Sequence, residues 1–131
     1  MRACLFVCAL AAGIACDESV TGPTTPLNQE FTLNPGQAAV IEGTGVSVRF
    51  DRVSNDSRCP ADAVCVLGGD AIVNISLVSS GSTRAYELHT GNMQPVRHND
   101  LTIHLVQLAP YPFSARTIPP QDYRATLRVT R

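Results

Sequence analysis

Lysine and tryptophan are both absent from the 131 residues, so all ten basic side chains are arginine. No motif in the chain asks for lysine, and its absence reads as the codon bias of a GC-rich genome. Ten basic residues stand against eleven acidic ones, which leaves no electrostatic case for binding nucleic acid or an anionic membrane surface. A convincing helical stripe of about ten residues is nowhere present. The apolar run from Ala3 to Ala15 is too short to cross a bilayer, which takes about 20 residues. No serine sits in G-x-S-x-G or S-x-x-K surroundings, and neither a glycine-rich phosphate loop nor a calcium loop of EF-hand type occurs. These absences argue against an enzyme and give no reason to expect a cofactor.

What is present begins with MRACLFVCALAAGIAC. One positive residue, Arg2, then a short apolar stretch and small residues describe a secretory signal peptide over 1–15. Gly13, Ile14, Ala15 and Cys16 resemble a bacterial lipobox, in which the signal is cut before a cysteine that then carries diacylglycerol and an amide-linked acyl chain. Gly13 departs from the leucine usual two places before Ala15. Residues 16–30 are polar, contain two prolines and lack apolar periodicity, and are expected to form a disordered tether behind a lipidated Cys16. The cysteine count agrees. Of five, Cys4 and Cys8 leave with the signal and Cys16 is consumed by lipid, so Cys59 and Cys65 remain as an even pair. The expected location is the bacterial cell envelope, lipid-anchored on a periplasmic or outer face.

About 100 residues are left for one small domain, 31–131. Its apolar period is two. Val46, Val48 and Phe50 alternate with Ser47 and Arg49, and Ala71, Val73, Ile75 and Leu77 alternate with Asn74 and Ser76. The same pattern recurs over 84–90, 101–108 and 123–131, and half-buried strands follow from it. Between them lie turn signals: NPGQ at 34–37, EGTG at 42–45, SSGS at 79–82 and TGNMQP at 90–95. This spacing predicts six to eight short strands in an all-β, antiparallel β-sandwich, Greek-key and immunoglobulin-like in general architecture. The proline-rich stretch between Leu108 and Tyr123 is expected to cross between sheets. A change of phase near Asp51 and Arg52 suggests a bulge.

The chemistry-bearing stretch is DSRCPADAVCVLGGDA, residues 56–71. C-x5-C is neither a thioredoxin-like C-x-x-C nor half of a zinc site with a second ligand pair. Outside the cytoplasm the expectation is a Cys59–Cys65 bridge, a structural staple contributing about 2 kcal/mol. Pro60 fixes its own φ, Asp62 accepts local hydrogen bonds in a turn, and Cys65 to Leu67 are expected to begin a strand. Arg58, Pro60, Asp62 and Leu67 form the candidate binding loop that the staple holds rigid. Asp56, Ser57, Arg58, Cys59, Pro60, Cys65, Val66, Gly69 and Ala71 resemble a family of small bacterial lipoproteins with a recurring D-S-R-C-P followed by C-V-W-A-G-x-A. Leu67 stands where that family usually has tryptophan, and Gly68 where it has alanine. The resemblance implies location and motif and no activity.

Three histidines, His89, His98 and His104, with Met93, raise the alternative of a metal site, weighed against plain solvent-facing positions on a sandwich. Asp51, Asp56, Asp62 and Asp70 crowd the motif and read as turn aspartates paired with Arg49, Arg52 or Arg58. The sequence therefore predicts a non-catalytic binding or assembly module. It is held at the membrane by its N-terminal lipid, and its stapled loop or sheet edge meets an envelope protein or glycan, with no nucleic acid partner. The alternatives are a metal-handling lipoprotein using the three histidines and a protease-inhibitor-like presenter of the Cys59–Cys65 loop.

Overall fold

The computed structural model describes residues 22–131, in which nine strands form two sheets. The expected signal peptide over 1–15 and the lipidated Cys16 lie outside the described residues. One sheet has the order β1 (Thr24–Thr25), β3 (Ala38–Ile41), β4 (Val46–Ser54), β5 (Ile72–Ser79) and β6 (Ser82–His89). The other has the order β2 (Glu30–Leu33), β9 (Arg124–Thr130), β8 (Leu101–Ala109) and β7 (Val96–His98). The inward faces of both sheets build one core, so the fold is an all-β sandwich.

Period-two patterning decides which side chains enter that core. Val46, Val48 and Phe50 of β4 meet Val73, Ile75 and Leu77 of β5, and the facing sheet adds Leu101, Ile103, Leu105, Leu127 and Val129. Two bulges preserve the burial where the sequence changes phase. The register of β4 on β5 shifts between Phe50 and Arg52, where the alternation flips. A second shift between Leu105 and Gln107 brings Leu108 inward with Leu105, which explains the second apolar set on that strand. At the β5–β6 hairpin only Ser80 and Gly81 lie between the paired Ser79 and Ser82, with φ of 48° and 77°. A two-residue loop with both central residues at positive φ is the turn whose twist matches antiparallel strands.

Three expectations need correction. Order begins before residue 31. Thr24–Thr25 pairs parallel with β3, Thr25 is buried and Leu27 packs on the core, so the part of the expected tether described here belongs to the sandwich. Short Thr and Pro segments carry no alternation long enough to announce this. The proline-rich stretch does not cross between sheets, because it joins β8 to β9, which pair directly. The long return is made instead by β3–β6, after which the chain re-enters the second sheet and ends with β9 beside β2. Finally, Cys65–Leu67 is not strand; β5 starts at Ile72.

Candidate functional site

The loop between β4 and β5 carries the motif, and its base is closed by reciprocal bonds. Ser57 N–H donates to the Asp70 carbonyl at 2.7 Å, Ser57 Oγ–H to the same oxygen at 2.9 Å, and Asp70 N–H to Ser57 Oγ at 3.1 Å. The two backbones pass so close that a Cβ on Gly69 would stand 1.5 Å from the Ser57 carbonyl oxygen, so only glycine fits. Ala71 then enters the core, fully buried, with its N–H donating to Thr90 Oγ1 at 2.9 Å.

Asp56 and Arg58 make the loop's strongest tie to the sandwich. Arg58 Nε donates to Asp56 Oδ1 and Arg58 Nη2 to Asp56 Oδ2, both at 2.8 Å, with side chains only 7% and 13% exposed. Nη1 reaches the Leu108 carbonyl at 2.9 Å and Nη2 the Pro110 carbonyl at 3.0 Å, while the guanidinium lies 5.5 Å from the Tyr111 ring centroid. Tyr123 donates its hydroxyl to Asp56 Oδ2 at 2.7 Å. Burial pushes the Asp56 carboxyl up, but the hydrogen bonds from Arg58 and Tyr123 outweigh it and hold the group below its ordinary value. Burial and the bond to Asp56 push the Tyr123 phenol up to about 12. Arg58, read as part of a binding loop, is therefore an interior brace joining the motif to the end of β8 and to the proline-rich segment.

Beyond the brace, Cys59 and Cys65 are joined by a disulfide with their Cα atoms 6.0 Å apart. The ring is seated on the proline-rich segment. Ala61 N–H donates to the Pro112 carbonyl at 2.8 Å, and Asp62 Oδ1 accepts from Ser114 N–H at 2.9 Å and Ser114 Oγ–H at 3.1 Å. The Ser114 N–H holds the exposed Asp62 carboxyl below its ordinary value. Past this seat the chain projects into solvent. Val64 and Val66 are fully exposed and Leu67 is 83% exposed, so the leucine is no core plug at the position where the resembled motif carries tryptophan. Pro60 is half-buried at the ring's entrance. Tyr111, Phe113 and Met93 are also exposed at this end. Shallow clefts run among them, one of about 210 Å³ between Arg58, Cys59, Gly68, Gly69, Thr90 and Tyr111. A larger open hollow of about 560 Å³ lies on the outer face of the five-stranded sheet, lined by Asp51, Asn74 and Glu87 among others. It is a broad, open sheet surface without convergent buried polar groups, so the stapled end is the better candidate site.

The histidines do not converge. His89 Nδ1 bonds Asp70 Oδ2 at 2.6 Å on the five-stranded sheet, and His104 Nε2 bonds Thr130 Oγ1 at 3.1 Å on the other. His98, expected in a polar loop, instead sits on β7 and is buried. Its Nδ1 meets Tyr86 Oη at 2.9 Å and its Nε2 meets Ser79 Oγ at 3.3 Å, bridging the two sheets. Among the described residues no three His, Cys, Asp or Glu side chains are grouped to hold a metal ion. A site built from His89, His98 and His104 is thus contradicted by their positions, and Met93 lines a cleft with none of them. The aspartates divide. Asp51 pairs with Arg49 at 2.7 Å and Asp56 with Arg58, as expected, whereas Asp62 turns to Ser114 and Asp70 to His89.

Sequence reading missed the Asp70–His89 pair, because the partners lie on different elements. Burial raises the Asp70 carboxyl, but donors from Gly91 N–H at 2.8 Å and from His89 prevail and lower it. The pair has the Nδ1–carboxylate bond of a catalytic dyad, yet Nε2 faces Glu87 Oε2 at 3.8 Å where a dyad would present a nucleophile's hydroxyl. It fastens the start of β5 to the end of β6. Compared with protein-family models, with curated proteins and with solved structures, the chain matches none.

Proposed function

We propose that the chain is a lipid-anchored, non-catalytic module of a bacterial envelope, attached through Cys16 and making its contacts with the stapled-loop end of the sandwich. One observation carries this reading. At that end the charged groups of the motif are turned inward or onto neighbouring backbone, while Val64, Val66 and Leu67 stand in solvent. A folded domain gains nothing from apolar side chains held out on a cross-linked loop, whereas a contact surface does. Preorganisation by the disulfide lowers the conformational cost of engaging that loop. Among the described residues His89 Nε2 faces Glu87 Oε2, and this favours a binding role over a hydrolytic one.

Attachment is supported by the lipobox-like Gly13–Cys16, by the parity of the cysteines and by the resemblance of residues 56–71 to small lipoproteins. Acyl chains bind bilayers with about 0.8 kcal/mol per buried CH2, and more than one chain makes the attachment stable. The test is intact mass spectrometry of the membrane-extracted protein, before and after reduction, beside Cys16→Ser. The expected mass lacks residues 1–15, carries added lipid, and rises by two hydrogens on reduction. An unlipidated wild-type mass would sink the anchoring, and free thiols at Cys59 and Cys65 would sink the staple.

A further inference from the structure

We infer that the stapled-loop end rests on the bilayer that holds the anchor, with Val64, Val66 and Leu67 set into the boundary between headgroups and acyl chains. The inference rests on the anchoring of Cys16 proposed above and identifies what the loop meets.

The loop has the chemistry of an interfacial contact. Residues 63–69, Ala-Val-Cys-Val-Leu-Gly-Gly, carry no charge. Asp62, the one charged group inside the disulfide ring, is drawn back onto Ser114. Around the tip stand Tyr111, 60% exposed, and Phe113, 49% exposed, with Arg116 beside Phe113 in a common cleft. An aliphatic tip with aromatic side chains and an arginine behind it matches the graded polarity of a membrane surface. A projecting tip of this kind, with only shallow clefts around it, suits a fluid surface that closes around it.

The two ends of the sandwich differ in polarity, and the leash is long enough for the stapled end. Among the described residues, the large exposed hydrophobic side chains all belong to the loops at the stapled end. The opposite end presents the turns at 42–45, 80–81 and 99–100, with Glu42 and Asp100 exposed. Five residues lie between Cys16 and Gly22, a contour over the six steps of about 20–22 Å at most. Gly22 lies against Ala38, which pairs with Arg49 partway along β4. From there β1 runs parallel to β3, away from the stapled end, so Gly22 lies on the stapled-end side of β1. Arg49 precedes the end of β4 at Ser54 by about 17 Å of strand. A leash this short would keep the domain on the bilayer surface, and its contour is long enough to span to the level of the stapled end. With charge close to balance, the contact is apolar and does not require anionic lipid.

The natural absence of tryptophan supplies the test. The acylated, membrane-extracted protein carrying Leu67→Trp is placed on phosphatidylethanolamine–phosphatidylglycerol vesicles, with Glu42→Trp as the opposite-end control and intact mass recorded on each sample. The expected result is a blue-shifted emission for Leu67→Trp, quenched by lipids brominated high on the acyl chain. Emission should be water-like for Glu42→Trp and should return to water-like when Val66→Asp is added to Leu67→Trp. Water-like emission from acylated Leu67→Trp overturns the docking and leaves the anchor standing. Absence of acylation overturns the anchor, and a blue shift that persists in that sample upholds the docking alone. Shielding seen only in native membranes with their proteins assigns the loop to a protein partner and overturns the bilayer contact.

Discussion

Replacing Asp56 by alanine tests the brace directly. The substitution leaves the Arg58 guanidinium with the Leu108 and Pro110 carbonyls but no counter-charge, at a side chain only 7% exposed. It also strips the acceptor from the Tyr123 hydroxyl. Removing one member of a buried pair costs about 3–5 kcal/mol, and the two retained carbonyls set the expectation at the lower end, about 3 kcal/mol. For a domain of this size that corresponds to a fall in Tm of roughly 12–24 °C. Urea and thermal unfolding followed by far-UV circular dichroism, on Asp56→Ala, Arg58→Met and the double variant, give the full cycle. The double variant should recover much of the loss, because it buries no lone charge. A cost below about 1 kcal/mol for Asp56→Ala, the value of an exposed pair, would refute the reasoning. So would a double variant no more stable than Asp56→Ala. The acid limb provides an independent check. Because the folded Asp56 carboxyl is held below its unfolded value, its contribution is complete above about pH 3.9 and is lost as pH falls through the folded value. Asp56→Ala should lack that share of the acid dependence.

Further outcomes follow from the same loop. Tyr123 has its folded pKa raised to about 12, so its contribution is complete below about pH 10 and disappears between pH 10 and 12. Tyr123→Phe should remove that alkaline loss and cost about 1.5–3 kcal/mol at neutral pH, measured by urea unfolding. Gly69→Ala should destabilise strongly or prevent folding, because the added carbon meets the Ser57 carbonyl, whereas Gly68→Ala, with open space around it, should leave Tm nearly unchanged. The Cys59→Ser/Cys65→Ser variant should lose about 2 kcal/mol and stay folded, and a chain that fails to fold without the bridge would show the ring to be more than a local staple.

The strands that the sequence reveals are those long enough to show their period. β4, β5, β8 and β9 each run seven residues or more, and their alternation predicts the buried set from Val46 to Val129. β7 is three residues, too few to carry a pattern, which is why His98 reads as loop and turns out buried between the sheets. Cys65–Val66–Leu67 misleads in the other direction, since a short apolar run looks the same whether it is packed or held out by a disulfide. The staple is legible from cysteine parity. The Asp56–Arg58 pair of the brace is legible too, but its ties to Tyr123 and the Leu108 carbonyl are not, because these residues lie 67 and 50 positions away and nothing local in either segment names the other. The motif residues stand out in the sequence as a possible contact site. Their shared structural demands, with Gly69 under the Ser57 carbonyl and Arg58 under the Leu108 and Pro110 carbonyls, account for most of them, and the projecting side chains are left as the part free to vary with what is touched.

The pairing of β2 with β9 carries a consequence for how the polypeptide reaches its fold. Thr32 meets Thr126 across 94 residues of chain, so the second sheet stays open while the first already has β3 to β6 in consecutive hairpins. In a chain that emerges N-terminus first, as in synthesis, the hairpins of the first sheet can form early. The facing backbone edges of β2 and β8 then stay unpaired until the last strand enters between them. The vulnerable interval in folding is therefore the one before β9 arrives, and a chain cut short before Arg124 lacks the strand that joins β2 to β8.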